Sequence, residues 1–80
     1  MMARLVFLGR LEDVAGADEI TLPLAAPTPL DAVVAQLPAA LARALGDPRI
    51  RVAVNGALVA GPALIAPGDE LAFLPPVSGG

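Results

Sequence analysis

Side-chain chemistry in proteins usually starts from His, Cys, Lys or Tyr, and this chain contains none of them. Trp is also missing, and the only hydroxyls are on Thr21, Thr28 and Ser78. General acid–base and nucleophilic catalysis draw on that absent inventory or on tuned carboxylates, which argues against an independent enzyme. Acidic pairs occur at Glu12-Asp13, Asp18-Glu19 and Asp69-Glu70. Sequence neighbours do not share a helix face and point oppositely on a strand, so none forms a catalytic dyad. They read as solvated turns and strand ends, with docking against a basic partner as the functional alternative. No metal site is expected without His or Cys, and the carboxylates lack the spacing of a calcium loop. No glycine-rich segment leads into a helix followed by Lys and Ser or Thr, as a phosphate cradle requires.

One reactive group is left, the α-carboxylate of Gly80 at the end of Val77-Ser78-Gly79-Gly80. With Gly at ~7% per position, a terminal pair arises by chance in about 0.5% of chains, so the pair alone would still read as a frayed end. Here it follows Pro75-Pro76, a rigid exit from an apolar run. A tail without bulky side chains can adopt backbone conformations closed to other residues and thread a narrow slot, which assigns Gly79, Ser78 and Val77 to threading and Gly80 to chemistry.

The rest of the chain must hold that tail. Its 80 residues make one domain, expected at residues 1–76 with residues 77–80 as a flexible tail. The hydrophobic fraction, 56%, exceeds the usual level for a globular chain. Some apolar surface should therefore stay exposed and mark a contact site. The longest uncharged run, Val52 to Gly68, is interrupted by prolines and glycines and falls short of a membrane span. No signal-peptide pattern opens the chain, and the expected location is the cytoplasm. A net charge of −3 argues against nucleic acid as a partner.

Residues 3–8 form an apolar run expected as a strand, and Leu11 to Ala15 one helical turn before Gly16. Asp18 to Leu24 alternates Ile20, Leu22 and Leu24 onto one face, making a second strand and a hairpin with the first. Thr28-Pro29-Leu30-Asp31 has the look of a capped helix start, with Leu30, Val33, Val34, Leu37 and Leu41 at helical spacing. Pro38 ends or kinks that helix, and a further turn over 39–45 stops at Gly46. Arg51 to Val54 is a strand, Asn55-Gly56 a tight turn, Ala57 to Val59 a short return, and Glu70 to Leu74 a last strand. This order predicts an α+β fold of the β-grasp, ubiquitin-like kind, a mixed sheet with one main helix across one face. Inward residues would be Leu5, Phe7, Ile20, Leu22, Val33, Leu37, Val52, Val54, Leu71 and Phe73. The other face carries Val6, Leu8, Ala53, Ala72 and Leu74 with Arg4 and Arg51. Such an apolar outer face predicts a protein interface around Val6, Leu8, Leu74 and Arg51.

The final ten residues, Leu71-Ala72-Phe73-Leu74-Pro75-Pro76-Val77-Ser78-Gly79-Gly80, closely resemble the terminal signature of molybdopterin synthase small subunits, members of the ubiquitin-like sulfur carriers. Leu5-Val6-Phe7-Leu8, Ala53-Val54-Asn55, Gly68-Asp69-Glu70 and Gly16 also match, while Glu12-Asp13 stands where many relatives have Arg-Glu. The resemblance implies that an adenylating enzyme, similar to those that activate ubiquitin, uses ATP and Mg²⁺ to activate Gly80. A sulfur donor then leaves a thiocarboxylate there. It further implies a large synthase subunit as partner, in a heterotetramer that converts cyclic pyranopterin monophosphate to molybdopterin for molybdenum cofactor biosynthesis. Phe73, Leu74, Pro75 and Pro76 would help bind that subunit, which would supply the catalytic side chains; this chain would bind no cofactor itself. The sulfur carrier of thiamin synthesis shares the Gly-Gly end and Val54-Asn55-Gly56, and a ubiquitin-like modifier or interaction domain is the alternative from another class.

Overall fold

The structure, a computed structural model, describes residues 1–76. Strand β1 (Met2–Phe7) leads through helix α1 (Arg10–Ala15) into β2 (Glu19–Pro23). A two-residue strand β3 (Thr28–Pro29) precedes helices α2 (Leu30–Ala35) and α3 (Ala39–Leu45). Strands β4 (Arg51–Val54), β5 (Ala57–Val59), β6 (Leu64–Ile65) and β7 (Glu70–Leu74) complete the chain. Five strands form one sheet in the order β2-β1-β7-β4-β5, with β1 and β7 parallel at its centre and the other pairs antiparallel. This is the expected β-grasp arrangement. No helix among the described residues is long and apolar enough to cross a membrane.

Strand pleating decides the two faces. The inward face sets Leu5 beside Leu71, and Phe7 beside Phe73, which in turn faces Val52. The two phenyl rings stack with centroids 5.5 Å apart and planes 10° from parallel. Helices α2 and α3 cover this face through Val33, Leu37 and Leu41, and α1 adds Leu11. Leu5, Phe7, Val33, Leu37, Leu71 and Phe73 are buried as expected, while Ile20, Leu22, Val52 and Val54 are half-buried at the core's margin.

One expectation about the helix needs correction. Thr28 does not cap it: Thr28 and Pro29 pair as β3 with Ile65 and Leu64, and the Thr28 hydroxyl donates to the Ala26 carbonyl. Pro29 occupies the cap position, with no side-chain cap bond. The break expected at Pro38 is present, and the helical stretch is two short helices, α2 and α3. Proline at position 38 cannot donate an amide proton within a continuous helix, so the chain breaks there and restarts at Ala39. The β3–β6 clamp compensates for the missing cap, since the Leu30 N–H donates to the Ala63 carbonyl at 2.9 Å.

Replacing Phe73 by Ala removes half of the ring stack and leaves a cavity at the sheet's centre. A loss of about 3–5 kcal/mol is expected, read from the shift in a urea midpoint. An unchanged midpoint would show that the central pair is not what holds the sheet to its helices.

Candidate functional site

Parallel pairing carries β7 alongside β1 to the end of the sheet where Gly9 and α1 begin. The Leu8 N–H donates to the Phe73 carbonyl at 3.2 Å, extending the ladder by one bond beyond β1. Leu74 and Pro75-Pro76 then leave the sheet. Gly9 lies against this exit with φ +56° and ψ −132°, and a Cβ built on it would sit 3.0 Å from Cγ of Pro75. The positive φ favours glycine, and a side chain here would also press on the Pro75 ring.

Two cavities flank Pro75-Pro76. One, of about 560 Å³, lies between Gly9–Leu11 and the α3 end, with Arg10, Arg43 and Arg49 in its wall. The other, of about 590 Å³, opens towards β4 and β5, with Arg49 and Arg51 in its wall. Asp47 holds Arg49 in place. One carboxylate oxygen accepts from the Arg49 backbone N–H at 2.9 Å and from Nε at 3.1 Å, and the other accepts from Nη2 at 2.8 Å. The side-chain bond from Arg49, and next its backbone N–H, lower the Asp47 carboxyl to a pKa of about 2.

On the outer face, cross-strand neighbours Val6, Ala72, Ala53 and Leu58 form an apolar row, and Leu74 stands opposite Arg51. Leu8 is 42% exposed and Leu58 is 62% exposed. Arg4 sits on the same face, ion-paired with Glu70 and with Glu19, the latter at 3.4 Å. Being half-exposed, these pairs are worth at most ~1 kcal/mol each.

The structure therefore brings Leu8, Leu74, Pro75, Pro76 and Arg51 to one end of the molecule, with Val6 one step into the sheet. Phe73 does not join them: it is 1% exposed and points inward, so it positions the exit without offering surface. Val77, Ser78, Gly79 and Gly80, the expected tail, lie outside the described residues. Among the described residues no group of His, Cys, Asp and Glu is placed to hold a metal ion.

Sequence reasoning did not assign roles to Gly9, Arg10 or Arg43. A lone glycine after a strand reads as a turn, and the approach to Pro75 joins positions 66 residues apart, which no local pattern reveals. The matched Asn55 and Asp69 prove structural. The Asn55 amide donates to Asp69 Oδ1 and its oxygen accepts from the Glu70 N–H, both at 2.9 Å, while Asp69 also accepts from the Ala66 N–H. These bonds lower the Asp69 pKa, the one from Asn55 most. They tie two turns together at the end of β7 opposite the exit.

The ThiS family model matches residues 5–80. Among solved structures, the chain is similar to SAMP1 from Haloferax volcanii, with 34% identity, full coverage of this chain and 100% of that one, and a TM-score of 0.77. It is also similar to a chain in the complex of subunits 1 and 2 of molybdopterin-converting factor from Helicobacter pylori, with 25% identity, coverage of 100% of this chain and 100% of that chain, and a TM-score of 0.68. A putative molybdopterin converting factor, subunit 1, from Pyrococcus furiosus shares the fold, with 20% identity, coverage of 96% of this chain and 99% of that chain, and a TM-score of 0.77. No curated protein sequence matches.

Two measurements check the exit. Gly9→Ala should cost about 1–3 kcal/mol, because it combines a glycine-only backbone with a contact under van der Waals distance. It should also shift the NMR signals of Leu74 and Pro75 more than those of Asn55; an equal or reversed pattern would dissociate Gly9 from the exit. The Asp47–Arg49 clamp predicts an acid-side dependence. Because the folded pKa is depressed, its contribution is present above the unfolded value of about 3.9 and is lost as pH falls towards 2. Side-chain carboxyl NMR of Asp47 should show it still charged at about pH 3, where an unrestrained Asp is mostly protonated.

Proposed function

We propose that this chain, which belongs to the ThiS family of ubiquitin-like sulfur carriers, delivers sulfur from the carboxyl group of Gly80 to molybdopterin synthesis. The observation that carries the reading is full-length similarity to a chain of the Helicobacter pylori molybdopterin-converting factor complex, joined to the Phe73-Leu74-Pro75-Pro76 exit. A side-chain inventory without His, Cys or Lys fits a carrier whose chemistry takes place in other proteins' sites.

A free carboxylate is a poor electrophile, because its charge is delocalised and its leaving group would be oxide. In this reading an adenylating partner uses ATP and Mg²⁺: a Gly80 carboxylate oxygen attacks the α-phosphorus, and pyrophosphate leaves. A sulfur donor then displaces AMP, and a thiocarboxylate remains. The large synthase subunit receives residues 77–80, Gly79 presenting no side chain to the slot, and the sulfur passes to the pterin precursor. Outer-face residues Val6, Leu8, Leu74 and Arg51 meet that subunit in a heterotetramer. Intact mass spectrometry after incubation with the adenylating enzyme, ATP and a sulfur donor should show a gain of about 16 Da, oxygen replaced by sulfur at an activated acyl group. Deleting Gly80 moves the carboxylate by about 3.3–3.6 Å in an extended chain and should abolish that gain while leaving the domain folded. An unmodified wild type beside a demonstrably active enzyme rejects the carrier reading.

Similarity to SAMP1 favours a second reading, in which Gly80 is joined to amines of other proteins as a modifier. The same mass experiment, run with cell extract, separates the two: a modifier appears as larger covalent adducts, a dedicated carrier only as the thiocarboxylate.

A further inference from the structure

The charges of this chain are unevenly placed. It has five arginines and no lysine against eight carboxylates, for a net charge of −3. Yet Arg10, Arg43, Arg49 and Arg51 all line the two cavities beside Pro75-Pro76. The fifth, Arg4, lies in the sheet between Glu19 and Glu70. Among the described residues, Asp47 is the one carboxylate in either cavity wall, and Arg49 already occupies it. Among the described residues, Arg10, Arg43 and Arg51 make no ion pair.

Like charges held close together cost free energy, and a chain with this surplus of carboxylates could have neutralised them locally. The cations instead form a ring around apolar ground provided by Leu11, Ala44, Ile50 and the two prolines. Guanidinium groups are weakly hydrated, planar donors suited to paired bonds with carboxylates. The net negative remainder of the chain would repel an acidic surface in every other orientation.

We propose that this basic collar is a docking surface for a protein partner that carries carboxylates around the opening through which it takes residues 77–80. The collar turns the chain exit-first towards that partner. It rests on the carrier reading only in treating residues 77–80 as the segment delivered. A phosphate ligand fits less well, because the arginines are divided between two cavities, with Arg51 in a different one from Arg10 and Arg43.

The test uses the full ¹⁵N-labelled chain and two defined probes, an acetylated hexaglutamate peptide and its hexaglutamine counterpart. The glutamate peptide should shift the amides of Gly9–Leu11, Arg43, Ala44 and Arg49–Arg51, and raising salt from about 50 to about 500 mM should remove the shifts. Hexaglutamine should leave them in place. Arg10→Ser combined with Arg43→Ser should weaken the response several-fold, with Arg51→Ser as the alternative should the pair disturb the amide spectrum. Shifts scattered over the chain, equal responses to both peptides, or pyrophosphate acting on these amides at lower concentration than the glutamate peptide at matched ionic strength would each overturn the proposal. Peptide binding needs no sulfur transfer, so failure here and failure of the mass experiment are separate results.

Discussion

Everything in this molecule depends on the parallel pairing of β1 with β7, the first and last strands of the sheet. Parallel neighbours cannot be joined by a tight turn, so the whole intervening chain must act as the crossover. That arrangement puts the two strands at the centre, with β2 outside one and β4 outside the other. Their inner residues Leu5, Phe7, Leu71 and Phe73 are then covered by the helices and are almost fully buried. Pairing of such sequence-distant segments repays its loop-closure cost only when the core forms, so β7 and the exit after it are ordered by the same event that folds the domain.

Most of the sheet was legible in the sequence because its signals are local. Alternation marked β2, apolar runs marked β1 and β7, and Asn55-Gly56 marked the turn, where Asn55 has φ 50° and Gly56 has φ 85°. Helices α1 and α3 ended at glycine where expected. The β3–β6 clamp was not legible. Two residues have no periodicity, and Ile65, though 0% exposed, sits in a stretch whose prolines and glycines read as loop. Thr28-Pro29 was misread for the related reason that a cap signature and a short bridge use the same residues. At the candidate site, Leu74 and Pro75-Pro76 were legible as an exit, whereas the arginine ring was not: Arg10, Arg43, Arg49 and Arg51 come from α1, α3, the loop after it and β4, and only the folded chain gathers them.

The molecule thus divides its labour by region. The turns joined by Asn55 and Asp69 stabilise the end of β7 away from the exit, through one bond between the two side chains and bonds from the Ala66 and Glu70 backbone N–H groups. The outer sheet face offers apolar area, interrupted by Arg4 and its carboxylate partners. The exit end offers charge. A partner drawn by the arginines would meet Leu74 and Leu8 at the edge of the apolar row, so that long-range orientation and short-range burial would act in succession on neighbouring surfaces.

This geometry also limits how a partner can use Gly80. Pro75 directly follows the final strand, close enough to Gly9 that a side chain there would press on its ring, so the starting point of the final segment is set by the sheet. Four residues follow Pro76, and a fully extended chain advances at most about 3.6 Å per residue. A reactive centre acting on Gly80 must therefore lie within roughly 14 Å of Pro76. In the carrier reading, a partner that close would also meet the collar and the Leu8–Leu74 edge, which would couple chemistry at Gly80 to recognition at the exit. In the carrier reading, a shift of the exit, as from a side chain at position 9, would carry through to the Gly80 carboxyl even with residues 77–80 unaltered, since positioning errors near 1 Å suffice to slow a reaction roughly a hundredfold.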